Sequence, residues 1–125
     1  MRPSWISIGA VWAALAVGLG AFGAHGLKSL DPGPEAIDWW KTAASYHLWH
    51  ALGLIAFGLL AELREGTGPW TGRLLLVGSA IFSGTLYAMA LGAPRWFGAI
   101  TPIGGTALIL GWLAFARAGC SRPTR

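Results

Sequence analysis

LLLVGSAIFSGTLYAMALGAP, residues 74–94, runs for 21 positions without an Asp, Glu, Lys or Arg. About 20 such residues carry an α-helix across the roughly 30 Å hydrocarbon layer of a bilayer. The run is apolar on all sides and does not alternate, which makes a barrel strand a poor fit. A segment in lipid has to pair its own backbone groups, and that leaves a helix. Three further runs share these properties: Pro3 to Leu27 with 25 residues, Thr42 to Ala61 with 20 and Trp96 to Ala116 with 21. The reading that follows is all-α, an integral membrane four-helix bundle. It forms a single membrane domain over residues 1–125, with spans near 5–27, 42–61, 74–93 and 97–116.

Composition points to the same class. Of the 125 residues 54% are hydrophobic and 11% charged, against about a quarter charged in a soluble domain. Mean hydropathy is +0.56. Eight Trp and 19 Gly suit membrane spans, where Gly is frequent and Trp gathers at the interfaces. There is room for one domain. The single cysteine, Cys120, excludes an internal disulfide and any relay needing two thiols. A soluble enzyme, a disordered tail and a disulfide-stapled secreted domain are all excluded. Arg2 followed by an apolar run mimics a secretory signal. That run exceeds the usual apolar region of about 7–15 residues and holds Trp12 in its middle, so a retained helix is expected.

The breaks between runs read as loops. Pro34 suits the first turn of the second helix, with Glu35 beside the positive end of its dipole. Trp39 and Trp40 are expected at headgroup level, and Trp70 is a further interface anchor. The turn around Ala93-Pro94-Arg95-Trp96 makes spans three and four antiparallel neighbours. The side holding both termini and the second loop carries Arg2, Arg64, Arg73, Arg117, Arg122 and Arg125. The other side carries Lys28, Lys41 and Arg95, together with Asp31, Glu35 and Asp38. Six basic residues against three place both termini in the cytoplasm; the expected location is a bacterial cytoplasmic (inner) membrane. The pI near 10.0 is then a topology signal. No basic patch is interleaved with aromatics, and no nucleic-acid partner is expected.

Two residue patterns within the spans are candidates for function. The first is small residues at four-residue spacing: Ala80, Gly84, Ala88 and Gly92 in span three, Ala16, Gly20 and Ala24 in span one, Ala107 and Gly111 in span four. Such faces let membrane helices approach closely. They are expected to pack the bundle, with a homo-oligomer seam as the alternative. The second is a polar cluster at the non-cytoplasmic ends: His25, Tyr46, His47, His50, Ser83, Tyr87 and Thr101. Ionisable groups in a bilayer are expensive and by default mark functional sites. His47 and His50, three apart, are expected on one helix face. His25 is expected to donate to His50 or Tyr87, making a polar clasp over spans one to three where a small ligand or partner docks. The alternative is a metal or haem site built from His25, His47 and His50; no cofactor is expected on the main reading.

Gly20-Ala-Phe-Gly-Ala-His-Gly26, Tyr46-His-Leu-Trp-His-Ala-Leu52, Phe82-Ser-Gly-Thr-Leu-Tyr87, Thr101-Pro-Ile-Gly-Gly105 and Gly111-Trp112 occur in this order through all four runs. This pattern resembles the domain of unknown function 423 family, the YgdD/YwdK-like proteins and human transmembrane protein 256-like proteins. The resemblance implies a small integral membrane protein and carries no catalytic set. The family's second-span motif is similar to Tyr-Gln or Tyr-His, two residues, then His-Ala. His50 matches that last His, while His47 stands where other members carry Gln, a poor transition-metal ligand.

Chemistry removes several four-span classes. A disulfide-exchanging quinone reductase needs paired cysteines. A small proton-coupled antiporter is expected to carry a carboxylate within a span, whereas Glu62 and Glu65 sit at a boundary. Spans of mainly Leu, Ala and Gly outline no polar pore. The main expectation is a non-enzymatic structural, accessory or binding protein in the lipid bilayer, with a membrane-protein partner or a second copy. The alternative is a metal- or haem-binding redox protein using His25 and His50. A membrane enzyme acting on a lipid or quinone lacks an evident nucleophile.

Overall fold

A computed structural model describes residues 4–120; Arg2, Pro3, Arg122 and Arg125 of the sequence reading lie outside these residues. The elements are α1 (Trp5–Ala24), a 3₁₀ turn (Leu27–Leu30), α2 (Pro34–Leu63), α3 (Trp70–Ala90), a second 3₁₀ turn (Arg95–Ala99) and α4 (Thr101–Cys120). Among the described residues four helices are long and apolar enough to cross a membrane. The class is all-α, a four-helix membrane bundle.

Local chemistry sets the helix ends. The Ser4 hydroxyl caps α1 by accepting from the Ser7 N–H at 3.2 Å. Gly33 caps α2, Pro34 opens it and Glu35 sits in its first turn, where the missing N–H and the carboxylate cost least. At 30 residues α2 is about 45 Å long and outreaches the hydrocarbon layer. Its charges at Glu35, Asp38 and Lys41 put most of the overhang at the N-terminal end.

Two limits differ from the charge-free runs. α1 stops at Ala24, and the chain turns so that Leu27 can bury its side chain, 1% exposed, against Ala36, Trp40 and Ala90. Absence of charge marks where a helix can cross; the burial of Leu27 decides where it ends. Residues 95–99 likewise form a separate 3₁₀ turn before α4. Pro102 has no N–H to continue an α-helical ladder back toward residue 98.

Sequential helices are neighbours: α1 on α2, α2 on α3, α3 on α4. Within the spanning windows 44% of α2 and 39% of α3 are buried, against 11% of α1 and 17% of α4. The inner pair is therefore α2 and α3. The outer helices turn Val11, Leu15, Val17, Ile103, Ile109 and Leu113 outward, the surface a bilayer solvates. At the far end from the 3₁₀ turns, Arg64 donates to the Ala118 and Gly119 carbonyls at 3.3 and 3.0 Å. These belong to the last turn of α4, whose carbonyls have no partner within the helix.

Backbones meet closely where α3 crosses α4. A Cβ on Gly104 would stand 2.5 Å from the Phe82 nitrogen and 2.8 Å from the Gly78 carbonyl oxygen. Gly111 meets α3 too, with Leu75 Cδ2 at 3.0 Å. The small-residue stripe of α3 is a correction to the sequence reading. A Cβ on Gly84 would meet nothing within 4 Å, and Gly92 lies past the helix in a left-handed turn, φ +107°. Ala80 and Ala88 are half-buried. The buried face of α3 runs instead through Gly72, Leu75, Ser79, Ser83, Leu86 and Ala90. Successive residues differ by about 100° around a helix, so the stripe lies one step off the packed face. Gly20 is similarly open, while Ala16 is buried.

Candidate functional site

The polar residues of the spans gather around α2 in two groups, one on each flank. On the α1 side, His47 is buried with its Nδ1 3.1 Å from the Tyr87 hydroxyl. The Trp12 ring covers the imidazole with centroids 4.1 Å apart, and Trp12 in turn donates its indole N–H to Ser79 Oγ at 3.0 Å. Ser83 is buried one turn beyond Ser79 and donates to the Ala43 carbonyl at 2.8 Å. Trp40 packs on Tyr87 and donates to the Leu19 carbonyl at 2.7 Å. These contacts tie α1, α2 and α3 together through polar atoms that have no water to turn to in a bilayer.

On the α4 side, His50 is buried and its Nδ1 lies 2.6 Å from the Tyr46 carbonyl oxygen of its own helix. Nδ1 donates in this contact, leaving Nε2 as the acceptor of the neutral ring. The Trp112 ring of α4 lies 5.8 Å from it, and Tyr46 stacks on Phe82 at 4.4 Å. Thr101 pairs with Thr85 at 2.7 Å, joining α3 to α4.

The expected cluster is thus divided. His47 and His50 look to different neighbours, since three residues along a helix leave about 60° between side chains. The anticipated bond from His25 to His50 or Tyr87 is not among the described hydrogen bonds: His25 is exposed past the end of α1, His50 Nδ1 is committed to Tyr46, and Tyr87 is paired with His47. Among the described residues no three His, Cys, Asp or Glu side chains gather to hold a metal, so the ligand set His25, His47 and His50 does not assemble. Trp40, read as a headgroup anchor, is 3% exposed and belongs to this core. Trp70 is exposed at the start of α3.

Trp12, named only for its place in the first apolar run, and Ser79 and Thr85, not named, are further polar contributors. A signal for the first was present. A Trp inside a span has to find an acceptor for its N–H, and a Ser on a nearby helix can supply it. The His47 Nε2 atom is buried without a hydrogen-bond partner.

Comparisons with known proteins agree with the fold. A sequence profile described as a protein of unknown function, DUF423, matches residues 19–105. The UPF0382 membrane protein YwdK of Bacillus subtilis is 45% identical over 111 residues, 87% of this chain and 89% of its own. The UPF0382 membrane protein SSP2132 of Staphylococcus saprophyticus is 45% identical over 109 residues, covering 87% and 90% of the two chains. The UPF0382 membrane protein C1782.12c of Schizosaccharomyces pombe is 39% identical over 111 residues, covering 85% and 92%. No solved structure matches. The profile covers the end of α1, all of α2 and α3 and the start of α4, the relatives cover most of the chain, and the chain belongs to the DUF423 (UPF0382) family of membrane proteins.

Proposed function

We propose that the protein is a non-enzymatic accessory subunit of a bacterial cytoplasmic membrane, both termini cytoplasmic, which holds a membrane-protein partner or a second copy of itself against its outer helices. The observation that supports this reading is how the core polar groups are used. Ser83 donates to a backbone carbonyl, Ser79 accepts from Trp12, His50 is engaged with Tyr46 and His47 with Tyr87. Each makes a hydrogen bond within the bundle, His47 through Nδ1 alone, and none of these bonds sets a serine hydroxyl against an imidazole as a nucleophile beside its base. The wide apolar faces of α1 and α4 are the surface left for association. The six-to-three basic split supports the orientation, and the bacterial relatives support the location.

The test is purification from native membranes in mild detergent after in-membrane crosslinking. Wild-type protein is expected to crosslink through α1 or α4 to a defined partner or to itself. His50→Leu is expected to insert normally, yet to loosen the α2–α4 contact and weaken that product. Stoichiometric metal or haem that disappears in His50→Leu favours the redox reading instead. A chain that stays uncrosslinked at every α1 and α4 position overturns the accessory role.

A further inference from the structure

Where α1 ends beside α2, a groove of about 530 Å³ opens on the outside of the bundle, with Lys28 and Lys41 among its lining residues. Its floor is apolar. The Trp40 indole fills the space a side chain on Gly23 would need, and its N–H is already bound to the Leu19 carbonyl. Above Gly20 the groove is empty, since a Cβ there meets nothing within 4 Å. Ala44 continues the smooth wall on α2.

The two lysines fix the level of this groove. Lys41 immediately precedes the 20 uncharged residues Thr42 to Ala61, and Lys28 immediately follows the uncharged run of span one. Both ammonium groups therefore belong at the headgroup layer, their methylene stems lying along apolar surface, while the groove descends from them toward the hydrocarbon. Neither lysine belongs to an ion pair among the described residues. Asp38 and Asp31 are exposed at the same end but do not line the groove. The other grooves at the bundle ends carry mixed charge. One has Glu35 and Arg95 bonded to each other at 2.8 Å, and the other has Glu62 and Glu65 beside Arg64. The groove between α1 and α2 has cations alone.

We infer that this groove seats one anionic phospholipid, its phosphate between Lys28 and Lys41 and one acyl chain along Gly20, Trp40 and Ala44. Basic pockets between membrane helices at headgroup level recognise anionic lipids. A zwitterionic headgroup brings its own cation against the two ammonium groups and is disfavoured. The site is separate from the His47–Tyr87 core and stands or falls independently of the accessory role.

Native mass spectrometry of the full chain, released from bilayers of equal phosphatidylglycerol and phosphatidylcholine with matched acyl chains, tests it. Wild type is expected to retain phosphatidylglycerol about thirtyfold over phosphatidylcholine, on the scale of two lysines at the surface. The Lys28→Gln, Lys41→Gln double variant is expected to lose that preference, with unchanged melting in lipid-free detergent because both side chains are exposed. Gly20→Leu, which grows into open space, is expected to lower phosphatidylglycerol retention with both lysines intact. Millimolar inorganic phosphate is expected not to displace the lipid. Equal retention of the two lipids by wild type overturns the proposal, as does an undiminished preference in the double variant, which assigns it to the arginine-bearing end. Displacement by phosphate alone makes the site one for free anions and overturns it too.

Discussion

Tyr87 is the polar hinge between α2 and α3: its hydroxyl meets His47 and its ring meets Trp40. Between membrane helices one such bond contributes about 0.6 kcal/mol on average and up to about 1.7. Tyr87→Phe also strips the partner from His47 Nδ1 in a site closed to water, so the upper part of that range is expected, read as a lower melting temperature in detergent. An unchanged melting temperature means the contact holds nothing. Ser83→Ala removes the bond to Ala43 and should cost less, because the freed carbonyl still accepts from its own helix. His47→Gln is expected to lie within about 1 kcal/mol of wild type, because an amide can reach Tyr87 as the ring nitrogen does. A large loss there assigns most of the stabilisation to the packing of Trp12 on the imidazole. These residue roles were only partly legible. That His, Tyr and Ser inside spans had to find one another follows from the absence of water; which finds which depends on helix rotation, and a shift of about 100° exchanges partners.

At the scale of the helix, Gly104 and Gly84 make a controlled pair. Both sit in small-residue surroundings in the sequence, but only Gly104 lies against a neighbouring backbone. Gly104→Leu forces α3 and α4 apart and is expected to cost at least the roughly 1–3 kcal/mol of an overpacked core site. Gly84→Leu projects into open space and is expected to leave thermal stability unchanged. Comparing the two melting curves in one detergent checks both statements, and a destabilised Gly84→Leu returns that face to the interior. The amino-acid sequence of α3 displays the four-residue spacing of small residues, and it displays equally the alternative through Leu75, Ser79, Ser83 and Leu86. Spacing alone ranks neither, because serine and leucine pack a membrane interface when their hydroxyls and methyls meet the right neighbour. Gly104, within Thr101-Pro-Ile-Gly-Gly105, falls outside the Ala107–Gly111 spacing that drew attention in span four.

For the molecule as a whole, the orientation has a direct check. A reporter active only outside the cytoplasm should give strong signal when inserted at Gly33 and none when fused to Arg125. The reverse pattern overturns the cytoplasmic termini, and signal at both sites overturns the even span count. The number of helices and their apolar character were determined by the sequence, through uncharged runs long enough to cross a bilayer, and the tight turn at Ala93-Pro94-Arg95-Trp96 made spans three and four antiparallel neighbours. Pro34 and Glu35 likewise marked the start of α2 because the preferences of a helix N-terminus are local. The tertiary structure alone decided the rest: that α2 and α3 form the inner pair, that Leu27 folds under the core and ends α1, that His25 stays outside while His47 turns to Trp12 and Tyr87 and His50 to Trp112. The physical reason is common to all three. Crossing a bilayer depends on the composition of one segment, whereas rotation about a helix axis is set by side chains from other segments. In a chain apolar on every face, hydrophobicity gives no direction, and packing shape and a few hydrogen bonds choose the inner face.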